Sequence, residues 1–457
     1  MTIREIQHLY CRAGFGINPE DISRLSDTSR SDVVEALFNE SAAFLPLHID
    51  TSDLDHYNIQ NIIRDKRKQE AFIKDSKQKL KEFNVSLVDR LVFTKQVLRE
   101  KMTLFWLNHF ACRDNNVFHV QQYNNTLRAH ALDNFGDFVK AISKEAAMVK
   151  YLNNNQNRKQ KPNENFAREL MELFTLGEGH YTEDDIKASA RAFTGYNHNF
   201  EGEFILRLRQ HDYNFKTFFG HTGRYDGDDI IDIILEQKQC ARFICKKIYS
   251  YFVNDIIDEV NVEEMTTIFF KDYSIENLMR YLFMSDWFYD ESNIGSKIKS
   301  PIEFLVGMRR TIPITFEKTK DVLKIQKLLG QVLLDPPNVA GWKGGKSWID
   351  SNTMMLRLKL PSIILTNAKI STKEKGGFID SYDKFNSKNK VNRFVEVTVD
   401  WDTFEKRFNT SSFSDIKQQL IVSEMSEGTE AYLEILSKNS KRDYCVQLMS
   451  LPEYQMC

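Results

Sequence analysis

The chain has 457 residues, 42% apolar and 28% charged, with 62 Lys and Arg against 64 Asp and Glu. That length carries one large or two medium domains with a sizeable core. A net charge of −2 excludes steering of nucleic acid by the protein as a whole. Six scattered cysteines with no CxxC pair argue against a zinc knuckle or a disulfide framework and fit a reducing compartment. No run approaches the roughly 20 apolar residues of a membrane helix. The opening MTIREIQHLYCRAGFG lacks a signal-peptide core. Cytoplasmic is therefore the default location, with export left open. Abundant Phe, 33 in all, with only 9 Pro, favours long helices around aromatic cores.

In chain order, residues 2–13 read as an amphipathic helix, with His8 and Arg12 one turn apart as surface or satisfied core groups. Asn18-Pro19-Glu20-Asp21 is a second helix start: cap, proline in the first turn, then two acids. Thr51 to about Glu82 is charge-rich. Arg64–Lys81 holds eight Lys/Arg and three Asp/Glu, the pattern of a solvated helix, with too few aromatics for a single-strand binding surface. Residues 87–112 form a strong helical segment whose end is apolar nearly all round, yet Asn108 and His109 sit inside it. Buried polar groups need partners, so these two are either satisfied core groups or part of a site. Asn124, Asn125, Arg128, His130 and Asn134 make a polar series in the next helices.

Pro162–Gly177, PNENFARELMELFTLG, reads as a helix of about four turns. Pro162 and Asn163 break and cap it, Glu164 sits where first-turn N–H groups favour negative charge, and Gly177 stops it. Phe166, Leu170, Leu173 and Phe174 face a core. Arg168 stands four residues from both Glu164 and Glu172 and can bridge them, while Asn165, Glu169 and Glu172 line a neighbouring stripe. This polar side is either a solvated ion-paired face or the wall of a site.

Thr182–Asp185 starts another helix. Residues 199–210 give the clear β signal, a small hairpin turning at Glu201-Gly202. It empties into His211-Asp212, Lys216, Gly220, His221 and Gly223, either a functional loop or an Ω-loop bonded to itself. Asp228 is placed to cap a helix to about Glu236, and Gln239–Val253 is another. In the latter, one of Lys246 and Lys247 is placed to cover a carboxylate. Val262–Ser285 reads as helical. Lys299, Ser300, Pro301 and Glu303 make a helix start. Asp335–Asn338 is non-helical, and Gly341–Gly345 is a glycine-rich turn holding Trp342, with Trp348 following and Ser351 or Asn352 as a cap. Gly345-Lys346-Ser347 fails as a phosphate loop, because Ala340 stands where the first glycine belongs. A short strand near 393–399 and two closing helices, near Phe413–Met425 and Gly428–Lys438, follow.

The predicted fold is mainly α, a large multi-helix globular assembly with a small hairpin near 199–210. Its expected organisation is a main helical domain over 1–370, a polar connection over 371–399, and C-terminal helices over 400–457 packing on the main domain.

NENFARELMELFTLG resembles the signature of the bacterial DUF1800 family. HLYCRAGFG (His8–Gly16), FWLNHF (Phe105–Phe110), AMVKYLNNNQNRKQKPNENF (Ala147–Phe166), HDYNFKTFFGHTG (His211–Gly223), KSPIEFLVG (Lys299–Gly307), DPPNVAGWKGG (Asp335–Gly345) and LPEYQMC (Leu451–Cys457) extend the resemblance over nearly the whole chain. It implies a helical protein, often encoded beside a sulfatase-like protein of the DUF1501 family, and implies no reaction.

No GxSxG elbow, HExxH helix, GxGxxG or EF-hand loop is present. The first functional reading is an enzyme, with hydrolysis the first reaction class to try. Glu169, Glu172, His109, His211 and Asp212 form an acid/base set or hold a divalent metal of open identity. Arg168 and Lys216 bind an anionic group such as sulfate, phosphate or carboxylate, with Asn165 and Asn108 as further substrate contacts. Trp342 and Trp348 give an aromatic wall for a carbohydrate. The second reading is a scaffold or maturation partner of the sulfatase-like protein, its polar motifs serving as internal struts. Nucleic-acid binding through Arg64–Lys81 is a weaker third, and no membrane span is expected.

Overall fold

Thr2, Ser29, Asn134, Thr182, Asp226, Ser300, Asp350 and Ser412 each place a side-chain oxygen on the first free N–H groups of a helix, satisfying donors that the helix itself cannot. These caps, and the apolar stripes behind them, build a mainly α fold. The computed structural model describes residues 1–57, 62, 65–366, 395–435 and 440–457. Among them are 21 α-helices and three two-stranded antiparallel sheets, and no helix long and apolar enough to cross a membrane.

The expected hairpin pairs Tyr196–His198 with Phe204–Leu206, starting slightly before 199. Asn199 Oδ1 closes its turn by accepting from the Gly202 and Glu203 N–H groups at 2.9 and 2.8 Å. A second hairpin, Lys216–Phe218 with His221–Gly223, and a third pair, Ile314–Phe316 with Val397–Val399, complete the β structure.

Several expected helices differ from the reading above. The 87–112 segment is two helices, because Lys66–Phe93 ends at an extended Thr94 whose Oγ1 accepts from the Gln96 N–H before Val97–His109 begins. Val262–Ser285 divides into Glu259–Phe269 and Ile275–Met284 around Tyr273, which is left-handed at φ +52°. Asp226 and Asp350, rather than Asp228 and Ser351 or Asn352, cap their helices. Helices at Arg30–Ser41, Thr319–Leu329, Trp401–Arg407 and Lys441–Met449 were not singled out in the sequence. Residues 371–394 of the expected connection, the 436–438 end of the last expected helix and Arg64 of the basic stretch lie outside the described residues.

One apolar core runs from Ile6 to Tyr454 and takes in side chains of the C-terminal helices, such as Phe404, Ile416 and Leu448. At its aromatic centre Trp106 packs against Phe110, Phe135 and Phe138. Beside it lies a fully buried ion pair, Arg128 Nε to Glu100 Oε1 at 2.8 Å and Nη2 to Oε2 at 3.2 Å. The polar series 124–134 thus serves the core: Arg128 neutralises Glu100, Asn125 holds the Leu47 backbone, and Asn134 caps the Phe135–Lys144 helix.

Candidate functional site

The Val97–His109 helix carries Lys101, Leu104, Phe105, Asn108 and His109 at positions i, i+3, i+4, i+7 and i+8. This spacing puts all five on one helix face, and that face is the floor of a cleft of about 340 Å³. Lys247, Ser250 and Tyr251, from the Lys238–Phe252 helix, form one wall, with Asp255 just beyond that helix's end. Arg12 at the end of the first helix, Lys297, and Ser300 and Glu303 at the start of Pro301–Thr311 form the other. Ala340, Gly344, Gly345 and Trp348 cover it.

The covering loop is fixed from below. Asn108 Oδ1 accepts from the Trp342 N–H at 2.7 Å, and its Nδ2 donates to the Trp342 carbonyl at 3.2 Å. Gly341 makes this possible: it is left-handed at φ +74°, and a Cβ there would lie 2.2 Å from Asn108 Oδ1. The Asn108 amide therefore works as a strut for the glycine-rich turn, while Trp342 itself lies outside the cleft lining.

The central stretch enters the site through its end. It is α-helical only over Asn165–Glu169 and continues as a π-helix over Leu170–Thr175. The Leu176 and Gly177 N–H groups both return to the Met171 carbonyl, and Gly177 leaves at φ +87°. A helix end leaves carbonyls without intrahelical donors. Here Lys247 Nζ donates to the Leu173 carbonyl at 2.8 Å and His109 Nε2 to that of Phe174 at 3.0 Å. A carbonyl only accepts, so His109 carries its proton on Nε2. Its unprotonated Nδ1 faces Lys247 Nζ at 3.4 Å. Burial, then the Lys247 charge, holds His109 well below the usual imidazole range. Burial pushes the Lys247 amine down to about 8.

The other cations of the cleft are paired differently. Lys101 contacts Glu303, and Lys297 contacts Asp255 and the Ser250 carbonyl. Burial alone would raise the Glu303 carboxyl, but Lys101 and the Ser300 N–H, at 2.7 Å from Glu303 Oε2, bring it to about 2. Arg12 is 2% exposed; its Nη2 donates to the Asn293 carbonyl at 2.8 Å and to Ser296 Oγ at 3.1 Å. Its Nε and Nη1 have no partner among the described residues, an expensive arrangement for buried donors.

Of the residues expected at a site, the structure brings Asn108, His109 and Trp348 to this cleft. Glu169, Glu172, Arg168 and Asn165 are on a different face of the central stretch. Arg168 makes a bidentate contact with Glu183, 2.9 Å at each oxygen, and lies 3.6 Å from Glu164. Glu172 accepts from Tyr181 Oη at 2.8 Å, so the expected Arg168–Glu172 bridge is absent; the π turn shifts Glu172 out of i+4 phase. Asn165 is exposed, and Glu169 is raised by partial burial and by Glu172.

His211 and Asp212 tie their loop to the end of the Glu183–Ala192 helix, and Lys216 ties the loop to itself. His211 Nδ1 donates to the Thr194 carbonyl at 2.8 Å, and Asp212 pairs with Arg191 Nε at 2.7 Å. Lys216 Nζ donates to the Asp212 and Asn214 carbonyls at 2.6 and 3.1 Å. None of the three lines the cleft.

Lys101, Lys247, Lys297, Asp255 and Arg12 were not picked out as site residues. Their one sequence signal is charge inside otherwise apolar helical runs, which Lys101 and Lys247 share. Lys246, next to Lys247, covers Glu259 at 2.8 Å. Among the described residues, no three His, Cys, Asp or Glu side chains converge as a metal centre requires.

The family model described as protein of unknown function (DUF1800) matches residues 8–456. No curated protein and no solved structure matches the chain.

Proposed function

We propose that this chain, which belongs to the DUF1800 family across residues 8–456, is an enzyme that takes an anionic substrate into the cleft between Lys247 and the Trp342–Trp348 turn. One observation carries the reading: among the described residues, Arg12, Lys101, Lys247 and Lys297 line the cleft with only two carboxylate side chains, Glu303 and Asp255. A sulfate, phosphate or carboxylate group on the substrate supplies the missing negative charge. Lys247 is the proton-exchanging group, since an amine near 8 changes charge close to neutral pH. His109, neutral and locked in one tautomer, is its proton partner. Trp348 and Tyr251 give the uncharged part of the substrate aromatic surface.

Calorimetry and thermal-shift titration of the full chain with sulfate, phosphate and oxalate at low ionic strength test this. Saturable binding, weakened about tenfold or more by Lys247→Met (about 1.4 kcal/mol) and unchanged by Glu169→Ala, is expected. Absence of saturable binding, or binding indifferent to Lys247→Met in a folded variant, overturns it. Weight then passes to the scaffold reading, which a pull-down of the sulfatase-like protein examines.

A further inference from the structure

We infer that Lys247 is a nucleophile that forms an imine with the carbonyl carbon of an aldehyde or 2-oxo compound bearing an acidic group; this rests on the anion-binding reading above. Three lysines line the cleft, and two are held as ammonium ions by carboxylates, Lys101 by Glu303 and Lys297 by Asp255. Lys247 has no carboxylate against it among the described residues; its neighbour Lys246 takes Glu259 instead. The two acceptors at Nζ are the Leu173 carbonyl and His109 Nδ1. A neutral amine has two N–H groups and one lone pair. Two acceptors use both N–H groups and leave the lone pair for the cleft that Lys247 lines. An ammonium ion would have a third N–H with no acceptor among the described residues. The Phe243 ring, its centroid 4.6 Å from Nζ, offers only a weak cation–π contact in its place.

The step balances without a redox partner. The Nζ lone pair attacks the carbonyl carbon, a C–N bond forms, and the carbonyl oxygen becomes a hydroxyl by taking the proton released from nitrogen. His109 Nδ1, 3.4 Å from Nζ, is placed to carry that proton. The carbinolamine then loses its hydroxyl, together with the remaining proton on nitrogen, as water, leaving C=N; amine plus carbonyl gives imine plus water. Lys101, Lys297 and Arg12, which line the same cleft, hold the acidic group of the same molecule. The imine is the electron sink that such lysines provide for reactions at the adjacent carbon.

Glyoxylate, a small aldehyde with a carboxylate, is the probe. The full chain is incubated with glyoxylate and cyanoborohydride near neutral pH, and the carboxymethylated lysines are mapped by peptide mass spectrometry. Lys247 should be modified about tenfold or more faster than any other lysine, as a shift of one pKa unit or more implies, and excess sulfate should suppress it. A folded Lys247→Arg variant should lose the preferred adduct and still bind sulfate. Modification spread over surface lysines with no preference for Lys247 overturns the imine assignment. If sulfate binds saturably in those same samples, only that assignment falls; if sulfate does not bind, the anion-cleft reading falls with it.

Discussion

The ionisation of Lys247 is the most direct quantity to perturb, and pH is the perturbation. An unburied lysine titrates near 10.4, whereas burial pushes Lys247 to about 8. At pH 7 about a tenth of a group with pKa 8 is neutral, against about one part in 2,500 for an ordinary lysine, a ratio of about 200. A less basic amine is also a weaker nucleophile. With a Brønsted slope like that of thiols, about 0.4–0.5, the advantage falls to about 20-fold. Trace acetylation with acetic anhydride across the pH range, read peptide by peptide, gives the midpoint and the ratio together. A midpoint near 8 for Lys247, with at least several-fold preference over Lys246 at neutral pH, is expected. A midpoint at the ordinary lysine value would refute the reasoning, because it would mean that the Leu173 and Phe243 contacts hold a full ammonium ion. Stability must follow the same sign. The folded pKa is the lower one, so between about 8 and 10.4 the unfolded chain binds more protons and stability rises with pH.

Glu100→Gln leaves Arg128 buried without its counter-charge, at a cost of about 3–5 kcal/mol. With about 2.1 cal/mol/K of unfolding entropy per residue over 457 residues, calorimetry should show Tm lower by about 3–5 °C; an unchanged Tm contradicts the assignment. Glu145, 6% exposed, is raised to about 7, chiefly by burial. Its folded pKa lies above the unfolded one, so its contribution is full below about pH 4.5 and is lost as pH rises through 7, on the order of 3 kcal/mol. Glu145→Gln should flatten that part of the urea stability profile, and an unaltered slope would show that the carboxyl stays ionised. Gly341→Ala sets a Cβ against Asn108 in a left-handed backbone. It should cost about 1–3 kcal/mol and red-shift tryptophan emission as the covering turn lifts; identical emission and stability would contradict the strut role of Asn108.

Where the sequence was informative, the information was local. Asn163 was legible as a start signal, and its Oδ1 does accept from the Asn165 N–H at 3.0 Å, although Glu164 rather than Asn163 is the N-cap residue; Gly177 was legible as a stop and is left-handed. The Thr182 capping box and the Asn199–Glu203 turn are short-range devices of the same kind. The π turn at Leu170–Thr175 was not legible, because its apolar spacing also satisfies an α-helix; with it went the expected Arg168–Glu172 bridge. The break at Thr94 carries no Pro or Gly to announce it.

The cleft divides along the same line. His109 and Asn108 stood out because they interrupt an apolar run, and both proved to have partners: the Phe174 carbonyl for one, the Trp342 backbone for the other. What turns a satisfied core histidine into a member of a site is Lys247, 138 positions away in sequence. Lys101 and Glu303 are likewise 202 positions apart. No periodicity within a helix encodes such pairings. The charged face of the central stretch drew attention by its density of carboxylates, yet Arg168 takes Glu164 and Glu183 there, and Glu172 takes Tyr181. The chemistry follows the end of that stretch instead. A π turn and a left-handed glycine expose two carbonyls: that of Leu173 holds Lys247, which has no carboxylate partner among the described residues, and that of Phe174 holds His109. The central motif therefore serves the proposed site through its backbone, so Glu169→Ala and Leu173→Pro should separate cleanly. The first should leave sulfate binding intact. The second removes the Leu173 backbone donor from the π-helix, and its ring collides with the carbonyl one turn earlier; the turn that presents the Leu173 carbonyl to Lys247 must shift, so the preferred labelling of Lys247 should be abolished. Circular dichroism confirms that each variant folds, and retention of that labelling in a folded Leu173→Pro chain would detach the motif from the site.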